Sequence, residues 1–250
     1  MGLGAVCVDR LGQARRNVFK TRARSWARRA VRDGLYDGID REAIATTARD
    51  FKSHYYQKYN QRFHHTCVRN AERIFALGLH EGPKRSILDL GTGFGLFPYA
   101  ARELGHTVVG LDQSDPFFDA VAPIIGIERV LHRIEPFAPL PEIPGAPFSL
   151  ITAFATCFDE AGASKQWGVS EWDYFLGDLR RFMAPGCRLY VKFNQYHGGG
   201  ARAGALARAV PDDLMDYFRA LGAKFRKRAM DLNDAPARTA SAPTPGPPRA

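Results

Sequence analysis

The sequence predicts an α/β protein: a doubly wound, mostly parallel sheet with helices on both faces, preceded by a helical N-terminal extension. Three observations carry this. From residue 86 onward, short apolar runs of strand length alternate with stretches of helical period, the order that builds a parallel sheet covered on both sides. The first of these runs passes straight into Gly91-Thr92-Gly93-Phe94-Gly95, a glycine loop where strand hands over to helix. Before residue 80 the apolar residues recur at helical spacing only.

Each element follows from local signals. In the Arg-rich stretch 13–33, Phe19, Ala23, Trp26 and Ala30 share one helical face, and Arg24, Arg28, Arg29 and Arg32 fall away from it. A second helix is predicted after Asp40, a good N-cap, with Ile44, Ala48, Phe51 and Tyr55 as its stripe. A third runs from about Phe63 to Leu77, with Cys67, Ala71, Ile74 and Phe75 inward and Gly78 as its stop. Strands are predicted at Ser86 to Leu90, Thr107 to Asp112, Arg129 to Ile134, Phe148 to Phe154 and Arg188 to Phe193. Between them lie a helix ending at Leu104 with Gly105 as its cap, one opened by Asp115-Pro116, and one capped by Ser170 that carries Trp172, Leu176, Leu179 and Met183. Trp167 and Trp172 are expected to pack that helix. A last helix spans Asp212 to Leu221, and Lys224 to Leu232 reads as one final strand. The division is thus a basic segment 1–38, a helical cap 39–82, a sheet domain 83–232 and a Pro/Ala-rich tail 233–250 expected to be disordered.

The 250 residues carry a formal net charge of +9, which suggests nucleic acid until the charge is located. Residues 1–80 hold 16 basic and 7 acidic side chains, whereas residues 81–196 hold 10 and 14. The excess lies in the flanks, and the segment 81–196 is acidic. No apolar run reaches the length of a membrane span, and Gly2 to Val8 is too short for a signal-peptide core. Val6 stands where a myristoylation signal needs Ser or Thr. Cys7, Cys67, Cys157 and Cys187 form no C-x-x-C pair, so they read as free thiols in a reducing cytoplasm, the expected location. His64, His65 and Cys67 suggest a metal at first glance. Adjacent helical residues diverge by about 100°, so no metal site is predicted there.

A glycine loop lets backbone N–H groups approach a ligand and sets a helix N-terminus beside it. The dinucleotide pattern G-x-G-x-x-G fails here, because Leu96 stands at the third glycine. No Gly-Lys-Ser/Thr ending exists for a phosphate loop. Instead Asp89 precedes the loop and Asp112 ends the next strand. A carboxylate at that strand end accepts both hydroxyls of a ribose, which suits a nucleoside-containing ligand.

The segment Ile87-Leu88-Asp89-Leu90-Gly91-Thr92-Gly93-Phe94-Gly95, followed by Gly110-Leu111-Asp112, resembles the class I S-adenosylmethionine (SAM)-dependent methyltransferases. Phe148-Ser149-Leu150-Ile151 and Ala184-Pro185-Gly186 add softer matches, and the resemblance covers roughly residues 83–232. It implies a Rossmann-like fold and SAM as cofactor. It implies a cofactor site built from Asp89, Gly91, Thr92, Gly93, Phe94, Gly95 and Gln113, with Asp112 holding the ribose. Ile134 and Glu135 are implied beside adenine, and Ala153 and Phe154 along cofactor and substrate. The sequence departs from the family in two places: Cys187 replaces a glycine, and one terminal strand is visible where the family has two.

Methyl transfer requires mainly alignment and exclusion of water, so a catalytic base is needed only for a protonated nucleophile. The segment Thr152 to Asp159 holds no Asn-Pro-Pro-Tyr type tetrapeptide, which disfavours base or amide nitrogen as acceptor. Cys157 lacks a preceding proline, which disfavours cytosine C5. Asp159 is the candidate base, or else a loop or capping residue. Asn194 and His197 are candidate substrate contacts, followed by Gly198-Gly199-Gly200, either a loop over the site or a plain connector. Tyr55, with Tyr56 and Tyr59, either closes the cleft or belongs to the core. Three functions follow: a methyltransferase of a small-molecule acceptor, such as a sugar or another biosynthetic metabolite; an RNA methyltransferase docking through its Arg-rich helix; or a non-catalytic SAM-binding protein. The sequence leaves the oligomeric state open.

Overall fold

A computed structural model describes residues 3–154, 156–159, 166–194, 210–226 and 228–233, apart from the side chains of 3–13, 15, 16, 54, 55 and 58. The tail beyond Asn233 lies outside these residues. Four helices come first: α1 (Leu3–Arg32), α2 (Arg41–Asp50), α3 (His54–Gln61) and α4 (Phe63–Ala76). Then follow β1 (Ser86–Leu90), α5 (Leu96–Glu103), β2 (Thr107–Asp112), α6 (Pro116–Ile125), β3 (Arg129–Leu131), β4 (Phe148–Phe154), α7 (Val169–Leu179), β5 (Met183–Lys192), α8 (Asp212–Ala220), β6 (Lys224–Arg226) and β7 (Ala229–Asn233). The strands form one sheet in the order β3-β2-β1-β4-β5-β7-β6, so the Rossmann-like α/β class is what the chain adopts. β1 to β5 run parallel, and β7 pairs antiparallel with both β5 and β6.

Side-chain alternation divides the core between the two faces. Ile87, Leu150 and Phe154 face a layer made with α2, α4, α5 and α6. Leu88, Leu90, Ile151 and Ala153 face the layer of α7 and α8. In that second layer Trp172 meets Phe158, Trp167, Phe175, Phe193 and Phe218 at ring-centroid distances of 4.4–5.8 Å, so both tryptophans pack α7 as expected. The basic N-terminal helix is tied down: Ala23 and Ala27 are buried, Trp26 packs on Phe75 and His80, and Phe19 on Phe75.

The helix ends follow their predicted caps. The Asp40 side chain accepts from Ala43 N at 2.9 Å, and Asp115 accepts from Phe117 N and Phe118 N at 3.0 Å each. Gly78, Gly105 and Gly222 follow their helices with positive φ.

Five boundaries differ from expectation. The helix begun at Asp40 stops at Asp50, because Phe51 turns extended and drops its ring onto Phe117 at 5.4 Å. Gln57 from α3 then caps the broken end, donating to Ala48 O and Phe51 O. α7 begins at Val169 with Gly168 as its cap residue. Ser170 lies inside the first turn, and the Gly168 N–H donates to Glu171 Oε2. Met183 leaves that helix through a 3-10 turn and opens β5, where Gly186 sits in a bulge against Phe148 and Leu150. β3 ends at Leu131, since its only neighbour β2 ends at Asp112. The final strand is two strands, β6 and β7, so the chain has the two terminal strands that the resemblance called for. Arg188 on β5 fixes β7 through both oxygens of Asp231, at 2.8 and 2.7 Å.

Candidate functional site

Strand order reverses between β1 and β4, and a cleft of about 630 Å³ opens at the carboxyl ends of these strands. Its floor is the glycine loop. Gly91 N and Thr92 N both donate to Leu111 O, which lays the loop along the end of β2. Gly93 N donates to Asp112 Oδ2 at 2.6 Å, and Gln113 N to Asp112 Oδ1 at 2.8 Å. From behind, Arg129 Nη1 donates to Gly93 O at 3.0 Å while the same guanidinium pairs with Asp119. The loop is therefore held from three sides.

Two of its glycines are required for different reasons. Gly91 has φ +70°, and a Cβ there would stand 2.3 Å from Thr156 Oγ1. Gly93 has φ +61°, but a Cβ there would meet nothing nearer than 4.0 Å. The first glycine is packed against the protein, and the second faces open space in the cleft.

Asp89 is buried beneath the loop. Thr152 Oγ1 donates to its Oδ1 at 2.6 Å and Thr92 Oγ1 to its Oδ2 at 2.8 Å. Burial outweighs these hydroxyls and the nearby Arg73, and pushes its carboxyl up to about 6. Asp112 is also raised, again by burial first, against the two backbone donors.

Asp89 has a stability consequence. A carboxyl raised from 3.8 to about 6 on folding binds its proton more tightly in the native chain, so native stability falls as pH rises through that window. Asn at position 89 does not titrate. Relative to the parent, Asp89→Asn is expected to gain about 3 kcal/mol between about pH 3 and pH 7 and to stay flat above it. Denaturant unfolding of both proteins across pH measures the difference, and a flat difference curve would refute the buried carboxyl.

The structure brings together most of the residues singled out from sequence. Asp89, Gly91, Thr92, Gly93, Phe94, Gly95, Asp112, Gln113, Ile134, Phe154 and Asp159 all line the cleft. Two do not. Glu135 is exposed and pairs with Arg133 at 3.5 Å, because the chain has already left β3 and turned outward. Ala153 is fully buried on the α7 side, the opposite face of β4 from Phe154. Asp159 joins Gln166 in an isolated β-bridge at the cleft wall. Asn194 donates to Cys157 Sγ at 3.2 Å, and Cys157 lines the cleft. The side chain of Tyr55 and all of His197 lie outside the described residues, while Tyr59 lines the cleft and stacks edge-on to Phe94. His65 faces the cleft and Cys67 the core.

Sequence reading missed the roof. One face of α4 and the residue before it present Arg62, Thr66, Arg69 and Arg73, with His65 and Asn70 beside them. The spacings of four, three and four were the available signal: they place these residues on the arc opposite Cys67, Ala71 and Ile74. The Arg73 guanidinium lies 4.3 Å from the centroid of the Phe154 ring and donates through Nη1 to Asn70 Oδ1 at 2.7 Å. Its Nε is buried without a hydrogen-bond partner. Burial lowers Arg73 to about 10 in spite of Asp89.

No protein-family model and no curated protein matches the sequence. Solved structures do. The CcbJ methyltransferase from Streptomyces caelestis is similar at 23% identity over 49% of this chain and 47% of its own, with a TM-score of 0.35. A SAM-dependent methyltransferase from Mesorhizobium loti is similar at 23% identity, over 46% of this chain and 50% of its own, with a TM-score of 0.33. A SAM-dependent methyltransferase from Aquifex aeolicus is similar at 18% identity, over 64% and 86%, with a TM-score of 0.41. The chain thus spans about half the length of the first two. These are likenesses of fold.

Proposed function

We propose that the chain is a SAM-dependent methyltransferase that transfers a methyl group to a small-molecule acceptor. The observation that carries the reading is the pairing of Asp112 with the Gly93 and Gln113 N–H groups at the mouth of the cleft. Each Asp112 oxygen accepts one backbone bond and keeps lone-pair capacity for a diol. Gly93 leaves open space directly beside it. That combination suits the ribose of an adenosine-containing cofactor, with Ile134 at the base and Phe154 toward the reacting end.

Bound there, the cofactor supplies a methyl group on a positively charged sulfur. The chain's own residues hold, align and exclude water, which accounts for the sparse catalytic signature. The buried face of Phe154 and the Tyr59–Phe94 pair dry the cleft. Asp159 takes the proton if the acceptor is a hydroxyl. Calorimetry of the full chain with S-adenosylhomocysteine tests the reading, followed by methyl transfer from labelled SAM. Absence of binding by a folded protein sinks the cofactor assignment. Binding without turnover on any acceptor fraction favours the non-catalytic alternative.

A further inference from the structure

A second cavity of about 340 Å³ lies between α1, α4 and the end of β5. Its walls carry Lys20, Arg24, Arg69, Arg73 and Lys192 against a single carboxylate, Glu72. Among the described residues none of these five cations enters a salt bridge. Elsewhere the same chain pairs its arginines readily, at Arg129, Arg181, Arg188 and Arg219. Crowding is felt at Lys192, which is lowered by burial and then by Arg73, Arg228 and Arg69. Arg73 adds a buried, unpartnered Nε.

Clustered like charges raise the energy of the folded chain, and an anion in their midst removes that cost. The planar forks of arginine match the oxygens of a phosphoryl group. Five cations also exceed what one carboxylate neutralises, and this favours a dianionic phosphate over a carboxylate. The basin and the cleft share Arg69, Arg73 and Phe154, so the two spaces meet at one wall.

We propose that this basin binds the phosphoryl group of the acceptor, so that the methyl acceptor is a phosphorylated small molecule reaching from the basin past Phe154 to the glycine loop. The basin as an anion site stands on its own residues, whereas its assignment to an acceptor rests on the methyltransferase reading.

The experiment titrates the full chain at low ionic strength with inorganic pyrophosphate, with succinate, with a short single-stranded RNA and, separately, with S-adenosylhomocysteine. The same titrations use the double variant Arg24→Gln/Lys192→Met, whose two sites are exposed and outside the cofactor cleft, with its melting temperature as a check of folding. Pyrophosphate is expected to bind the parent and to bind the variant at least about tenfold more weakly, with S-adenosylhomocysteine affinity unchanged. Equal pyrophosphate affinity in parent and variant overturns the site. Succinate binding as tightly as pyrophosphate overturns the phosphoryl assignment. RNA binding that is lost in the exposed variant Arg28→Glu/Arg29→Glu, with no pyrophosphate binding, overturns the small-molecule acceptor in favour of RNA docking on α1. Pyrophosphate binding without S-adenosylhomocysteine binding leaves the anion site standing and removes the cofactor reading instead.

Discussion

Replacing Asp112 by alanine is expected to weaken S-adenosylhomocysteine binding by roughly two to four orders of magnitude. Two charge-assisted hydrogen bonds to a diol are worth about 1.5–3 kcal/mol each, and tenfold in affinity is about 1.4 kcal/mol. The variant also releases Gly93 N, which Asp112 holds at 2.6 Å, so the loop loses one of its restraints. Asp112→Asn keeps one acceptor oxygen, and a smaller loss of roughly tenfold is expected of it. Both variants should retain the sheet, because Asp112 ends β2 and its side chain takes no part in the strand ladder. Calorimetry reads the affinities, and circular dichroism the fold. Affinity unchanged in Asp112→Ala would remove the ribose role and with it the main support for the function.

The second large effect is expected at Gly91. An alanine there must hold φ near +70° and place its Cβ 2.3 Å from Thr156 Oγ1 and 3.0 Å from Thr156 Cγ2. The left-handed backbone costs about 1–2 kcal/mol, and pushing Thr156 aside breaks its bond to Leu90 O, worth about 1 kcal/mol more. A stability loss of about 3 kcal/mol follows, or about 6–12 °C in Tm for a chain of this size. Thr156→Ala introduced beside it should recover part of that loss, because the Oγ1 and Cγ2 contacts vanish while the backbone cost stays. Thermal unfolding of the two single variants and the double variant gives the coupling. Additive losses would show that the loop does not press on Thr156.

Local rules read much of the molecule. Asp40, Asp115, Gly78 and Gly105 act where cap chemistry puts them, because a cap depends on a few neighbouring residues. The Asp89, Gly91 to Gly95 and Asp112 constellation was legible because its parts lie at the ends of two adjacent parallel strands. Errors arose where a distant partner decides. Phe51 continues the helical stripe of α2 by spacing, yet Phe117 of α6 offers it a better ring contact, and the helix breaks. Ala153 and Phe154 are neighbours in sequence, yet strand alternation sends them to opposite faces.

Sequence by itself determined the α/β class, the glycine loop between β1 and α5, and the location of the positive charge in the flanks of the chain. It could not say what that charge does. The spacing of Arg62, Arg69 and Arg73 shows only that one arc of α4 is polar. Whether such an arc meets water or a cavity depends on what is packed above it. Tertiary structure decided this by laying α1 along α4, with α4 over the ends of β1 and β4 and both helices against the ends of β4 and β5. Part of the flanking charge thereby became the roof of one cleft and the wall of another.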